Sequence, residues 1–159
     1  MHKVNTNRLT EETWSSPKGT FGCAGVAISE ALGRKPDSTD LLERHPFDVA
    51  IVRVPPGRRN WPYHAHSAQW EFYHVISGTG KVRHPSGVSE IRPGDAFIFG
   101  PSEPHQVIND GDGDLVMYVI ADNPIGSATY YPDSDKYAVR VPERRIVRSE
   151  SLDYLDGEE

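Results

Sequence analysis

Two histidines one residue apart, His64 and His66, are followed after a four-residue connection, Ser67 to Trp70, by Glu71. A further histidine, His105, heads an apolar run later in the chain. On an extended chain alternate side chains leave the same face, so His64 and His66 can present both imidazoles to one ion. The connection to Glu71 is short enough for a hairpin to return its carboxylate beside them. An H-x-H pair alone is more often an ordinary surface or hydrogen-bonded pair; Glu71 and His105 are what shift the weight toward a metal. Three neutral imidazoles and one carboxylate suit one divalent first-row transition metal, and Zn, Fe, Mn and Ni are all compatible with that donor set. Once Glu71 is counted, such an ion keeps a residual charge of about one, which favours an anionic ligand oxygen.

Strand parity distributes the neighbouring side chains. Tyr73 and Val75 share the parity of Glu71, so Tyr73 is the candidate catalytic residue, its hydroxyl bonding a ligand or giving up a proton; a core tyrosine with a satisfied hydroxyl is the competing reading. Arg53, among Val49, Ile51, Val52 and Val54, is the candidate for a substrate carboxylate if its guanidinium points inward, and makes a surface or dimer contact if it points outward. His74 has the opposite parity, and His84 falls in a hairpin turn. Trp61, Trp70 and Phe72 line either a pocket mouth or an interface.

The elements that must hold these residues read as strands. Thirteen prolines and fourteen glycines cut the 159-residue chain into short segments, leaving few windows for a stable helix. Runs rich in Val, Ile, Phe and Tyr at Val49 to Val54, Glu71 to Ile76, Gly80 to Arg83, Val88 to Ile91, Ala96 to Phe99, His105 to Ile108 and Leu115 to Ile120 are separated by turn residues. Seven short strands so spaced predict an all-β sandwich or barrel. Two short helical windows remain, Ser29 to Gly33 and Ser38 to Arg44, the second capped by Ser38 or Thr39. Residues 1–44 read as an N-terminal arm that adds strands, 45–132 as the barrel, and 133–159 as a C-terminal extension with an acidic, solvated end.

The two histidine-bearing segments resemble the paired motifs of the cupin superfamily. The first matches at Gly57, His64, His66, Glu71 and Gly78, and the second at Gly94, His105 and Asn109. Six residues rather than the usual five separate Gly57 from His64, and Gly100 and Ser102 stand where the second motif carries proline and glycine, with Pro101 shifted by one. These departures touch loops; all four metal-binding positions of the family carry ligand-type residues. The resemblance covers about Val49 to Ile120 and implies a double-stranded β-helix, or jelly-roll, barrel with His64, His66, Glu71 and His105 as metal ligands. Cupins include dioxygenases, isomerases, epimerases, decarboxylases, storage proteins and sugar-sensing regulators, so the fold leaves the activity open.

Composition narrows the rest. The net charge of −6 with scattered basic residues offers no footprint for nucleic acid. No stretch approaches a membrane span, and the first residues lack an apolar leader core, so a soluble cytoplasmic protein is expected. The single cysteine, Cys23, excludes an internal disulfide and fits a reducing compartment. Apolar residues from Phe21 to Ile28 and uncovered sheet edges predict a homodimer. The expected function is a small metalloenzyme of oxygenase, isomerase or lyase type acting on an anionic or oxygen-rich small molecule. The alternative is a non-catalytic small-molecule binding or sensor module whose metal is structural or holds the ligand.

Overall fold

The computed structural model describes residues 1–140 and 143–158. Its strands are β1 (Glu12–Ser15), β2 (Gly22–Ala27), β3 (Phe47–Val54), β4 (Ala65–His66), β5 (Glu71–Ser77), β6 (Gly80–His84), β7 (Gly87–Ile91), β8 (Ala96–Phe99), β9 (Gln106–Ile108), β10 (Leu115–Asp122), β11 (Thr129–Tyr131), β12 (Lys136–Arg140) and β13 (Arg144–Val147). They form a six-stranded sheet ordered β1-β2-β3-β10-β5-β8, a three-stranded sheet β7-β6-β9 and a four-stranded sheet β13-β12-β11-β4. Every pairing between named strands is antiparallel. This is an all-β barrel of antiparallel sheets.

Alternation builds the core between the larger sheet and the three-stranded one. Val52 and Val54 on β3, Tyr73 and Val75 on β5, Phe99 on β8 and Leu115 and Met117 on β10 meet Val82, Ile91 and Val107 from the smaller sheet. Each fully buried aliphatic side chain contributes about 1.5–3 kcal/mol relative to exposure. Cys23 joins this core as a free thiol whose pKa burial pushes up to about 11, an inert packing residue at neutral pH.

Two buried asparagines replace backbone pairing where the strands end. Asn60 Oδ1 accepts from the Val107 and Trp61 amides at 3.0 and 2.7 Å. Asn109 Nδ2 donates to the Val54 and Gly113 carbonyls at 2.7 and 2.8 Å, and its Oδ1 accepts from the Gly111 amide at 3.0 Å, which closes the turn before β10.

The N-terminal strands extend the large sheet, β2 lying antiparallel beside β3. Cys23 and Ala24 are buried in their own barrel, so that part of the apolar run from Phe21 to Ile28 packs within the chain, while Val26 and Ala27 are half-buried. The helices are shorter than the sequence suggests: α1 is Ile28–Ala31 and α2 is Leu41–Arg44. Asp40, not Ser38 or Thr39, caps α2 through the Leu42 amide at 2.9 Å, because Ser38 Oγ is turned toward the Asp40 amide and Glu43. Leu41 and Leu42 are 70% and 88% exposed, so no apolar face extended the helix.

Gly78 turns β5 into β6 at φ +79°, and a Cβ there would lie 2.2 Å from the Asp114 carbonyl oxygen and 2.8 Å from Leu115 Cα. Gly57 has φ +71° but open space around it. Gly78→Ala is therefore expected to destabilise by more than about 2 kcal/mol, since backbone strain and a backbone clash add, whereas Gly57→Ala carries only the strain of about 1 kcal/mol. Urea unfolding of both variants checks this; equal losses would show that the close approach at Gly78 is relieved at little cost.

Candidate metal centre

The cluster forms where β4, β5 and the start of β9 converge. His64 and His105 face each other across a two-residue backbone bridge, with the His105 amide donating to the His64 carbonyl at 2.8 Å and the His64 amide returning a bond at 3.2 Å. Their ring centroids lie 4.7 Å apart. His66 follows on β4, and Glu71 opens β5 with its side chain only 14% exposed.

Backbone carbonyls fix how two of the imidazoles present themselves. His64 Nδ1–H donates to the Pro62 carbonyl at 2.8 Å, and His105 Nδ1–H to the Glu103 carbonyl at 3.1 Å. Each bond leaves the Nε2 lone pair directed at the cluster. His66 Nε2 is buried without a hydrogen-bond partner among the described residues. Around Glu71, His105 Nε2 lies 2.7 Å and His64 Nε2 4.0 Å from Oε2, while His66 Nε2 lies 3.5 Å from Oε1.

The donor set fits a metal ion on these grounds. His64, His66 and Glu71 offer ligand atoms all within 4.8 Å of one another, a group that could hold a metal, and His105 joins it through its contact with Glu71. With Nδ1 of His105 committed to a carbonyl, Nε2 and the Glu71 oxygen face each other as two lone pairs, an arrangement that requires a shared cation, either a proton or a metal. An unpartnered buried nitrogen at His66 adds a further donor without a proton acceptor to satisfy.

Burial pushes the His64 pKa down to about 4, against the attraction of Glu71, so at neutral pH this imidazole is the uncharged form a metal requires. Burial opposes ionisation of Glu71, but the hydrogen bond with His105 and the proximity of His66 outweigh it and hold the carboxyl well below its ordinary range.

The structure brings together four of the six residues singled out from the sequence, His64, His66, Glu71 and His105, and places a fifth, Tyr73, directly beneath them. Tyr73 is buried, its hydroxyl donating to Glu71 Oε2 at 2.9 Å and lying 3.2 Å from His105 Nε2. Burial, reinforced by the Glu71 carboxylate, holds the phenol well above its usual pKa. Its surroundings suit a hydrogen-bond donor that orients Glu71, in keeping with the competing reading of a tyrosine with a satisfied hydroxyl. Arg53 is elsewhere: it lies on the outer face of β3, paired with Glu11 and, at 3.0 Å, with Asp114. A guanidinium already held by two carboxylates outside the barrel does not receive a substrate at this cluster, which corrects the expectation for Arg53. His74 lies on the outer parity of β5, and His84 sits at the end of β6 with Nε2 2.9 Å from Ser89 Oγ.

Other participants were hidden from the sequence. β11 pairs with β4 through Thr129 opposite His66, and Thr129 Oγ1 lies 3.4 Å from His66 Nδ1. Ser102, left-handed at φ +65°, donates its amide to the His66 carbonyl at 2.7 Å. Both contacts join segments far apart in the chain, and no local pattern pointed at either. A cavity of about 280 Å³ lies on the face of the β4–β11–β12 sheet that carries Ala65, Tyr130 and Tyr137, the face opposite the His66 imidazole. A larger depression of about 640 Å³, around Lys81, Glu90, Arg92 and Asp110, includes none of the cluster residues.

Comparison with known proteins agrees with this fold. Residues 50–121 match the family model described as the cupin domain. The oxalate-binding protein of Thermotoga maritima is 26% identical over 118 residues, covering 74% of this chain and 90% of that protein. Two crystal structures share the fold: that of an Acidithiobacillus ferrooxidans protein, TM-score 0.78 at 22% identity over 92% of each chain, and that of a cupin-superfamily sugar phosphate isomerase from Silicibacter pomeroyi, TM-score 0.76 at 20% identity over 96% of this chain and 97% of that one. No described helix is long and apolar enough to cross a membrane.

Replacing His66 by Ala removes a ligand-type nitrogen that has no protein partner, so the metal-free variant should unfold within about 0.5 kcal/mol of the parent, while the metal-induced rise in stability, about 2.7 kcal/mol at a hundred times Kd, should largely vanish. Tyr73→Phe, which frees Glu71 from its donor, should weaken metal binding by about 10–100-fold. Thermal unfolding with and without added zinc reads both; an undiminished metal response in His66→Ala would remove His66 from the ligand set.

Proposed function

We propose that this chain, whose residues 50–121 match the cupin-domain family model, is a metal-dependent cupin acting as a small enzyme of oxygenase, isomerase or lyase type. The ligand is an anionic or oxygen-rich small molecule, and one divalent first-row ion, Zn, Fe, Mn or Ni, is held by His64, His66, Glu71 and His105. The observation that carries this reading is the convergence of three imidazole Nε2 atoms on one carboxylate, with His66 Nε2 buried and unpartnered. Bound there, such an ion supplies a Lewis acid or redox centre to a ligand oxygen.

The protein's own part is positional and electrostatic. Pro62 and Glu103 carbonyls lock the tautomers of His64 and His105, Tyr73 holds Glu71, and the barrel wall keeps bulk water from the lower side of the cluster. The net positive balance of a loaded site favours a carboxylate or enolate oxygen. The oxalate-binding relative supports an anionic ligand and equally favours the second reading, a non-catalytic binding module.

Protein purified without a chelating tag should contain about one transition-metal ion per chain by elemental analysis. Oxygen consumption and product formation across small carboxylic acids and diols then separate enzyme from binder. Absence of any stoichiometric metal, with no uptake on adding Zn or Mn, would overturn the metal-dependent reading; tight acid binding without turnover would favour the binding module.

We also infer a homodimer, now on different grounds. Register aligns Val26, Ile51, Tyr118 and His74 in one row across the outer face of the large sheet, and Val49, Ile120, Phe72 and Ile98 in the next. Ile98, Tyr118 and Ile120 are 54%, 37% and 36% exposed, an apolar face that a second copy would cover. Light scattering should give twice the chain mass, and Ile120→Arg should shift it to the monomer; a monomeric parent at micromolar concentration would remove the inference.

A further inference from the structure

We propose that Lys136, seated on Tyr131, is a second anion contact beside the cluster, so that the ligand is a short-chain molecule with two anionic ends, one at the cluster and one on the Lys136 ammonium. The inference rests on the metal-site reading above and deepens it. Register places both residues on the face of the β4–β11–β12 sheet that carries the imidazoles: Thr129 lies opposite His66 and Ala138, and two residues further along β11 Tyr131 lies opposite Lys136. Residues paired across neighbouring strands share a face, and the side-chain contacts agree. The Tyr131 and His64 ring centroids are 6.3 Å apart, and Lys136 Nζ sits 5.3 Å from the Tyr131 centroid.

Charge decides what that face receives. Lys35 and Lys81 are each paired with a carboxylate at 2.6 Å, and Lys3 and Lys18 are exposed. Lys136 differs from all four: it is half-buried, and among the described residues no carboxylate lies within ion-pair distance of it. The acids beside it in the chain are engaged elsewhere, Asp133 with Arg83 through bonds of 2.7 and 2.8 Å and Asp135 with the Tyr130 hydroxyl at 3.3 Å. The Tyr131 ring attracts the ammonium without taking up its N–H donors as a carboxylate would, so those donors stay available to a ligand. In a chain of net charge −6, a lysine kept clear of carboxylates beside a cluster that becomes positive on taking up a divalent ion is a place where an anion is favoured.

Spacing sets the length of the ligand. The side chains of His66 and Glu71 are each 14% exposed, and Tyr131 and Lys136 are half-buried, so the cluster and the ammonium both reach solvent. β11 lies between β4 and β12, which puts Lys136 two strands from His64. At about 4.8 Å between neighbouring strands, their backbones are separated by about 10 Å. A chain of several carbons with an acid at each end spans the cluster and the flexible lysine; oxalate, whose carboxylates are joined directly, touches only one of them. Lysine offers a point charge on a mobile stem rather than a planar fork, which suits a carboxylate or a phosphate as the second end.

Calorimetric titration of the zinc-loaded protein with glutarate and with pentanoate, which has the same chain length and a single charge, tests the second contact apart from the first. The parent should bind glutarate about tenfold more tightly than pentanoate. Lys136→Met, which keeps the stem and removes the charge, should bring the two within about twofold, and Lys136→Glu should place glutarate below pentanoate. Pentanoate binding, unchanged in both variants, reports that the cluster is intact. 3-Phosphonopropionate should lose affinity in Lys136→Met as glutarate does, and the larger of the two losses identifies the second end group. Equal binding of glutarate and pentanoate by the parent, or a glutarate preference that survives in Lys136→Met, would overturn the inference and spare the metal-site reading, as would zinc binding with no uptake of either acid. A parent that binds no zinc would overturn that reading and this inference with it.

Discussion

A carboxylate buried among nitrogen lone pairs is the constraint around which this molecule is arranged. Glu71 is removed from water, and burial alone would neutralise it. It stays ionised because His105 and His66 lie against it, while main-chain carbonyls hold His64 and His105 and the Tyr73 hydroxyl holds the carboxylate. Removing His105, which lies 2.7 Å from the carboxylate, leaves a buried charge uncompensated, which is strongly destabilising. A protein retains such a cluster when the cation it demands has a use.

The antiparallel barrel meets that constraint with little sequence. Parity on β5 sends Glu71, Tyr73 and Val75 inward in succession, passing from the charged site to a donor to plain core within five residues. The bridge between His64 and His105 joins the first ligand segment to the last across 41 positions of chain, so closing the barrel and assembling the site are one event. Asn60 and Asn109, both buried, stitch the flanking loops to β9 and β3 where the ladder hydrogen bonds run out.

What the sequence made legible follows from range. Local period-2 patterning and turn residues located β5, β8 and β10 to within two residues, and spacing alone brought the H-x-H pair to Glu71. His105 needed the resemblance to a known two-motif pattern, because nothing local ties it to His64. The orientation of Arg53 was undecided by parity, since its strand is apolar on both faces, and only the carboxylates of Glu11 and Asp114 settle it outward. The helix cap at Asp40 was missed because three adjacent polar residues, Ser38, Thr39 and Asp40, are all good caps and side-chain bonding to Glu43 selects among them. The wall over His66 was invisible for a deeper reason: β11 meets β4 across more than sixty residues of chain, and neither strand is long enough to announce itself.

The aromatic layer under the cluster sets the direction in which chemistry is open. Phe99 lies flat against the His105 ring, centroids 4.3 Å apart and planes at 1°, and Phe97 stacks on Tyr73 at 5.1 Å and 9°. These contacts fix both ring planes and seal the lower side with apolar surface that excludes water. His105 can turn neither toward the core nor away from Glu103, and Tyr73 keeps its proton on Glu71. The remaining side of the cluster is bordered by β11, whose Thr129 and Tyr131 lie beside His66 and His64 and come from outside the residues that match the family model, so the barrel supplies the ligand-type residues while the C-terminal segment supplies their outer neighbours.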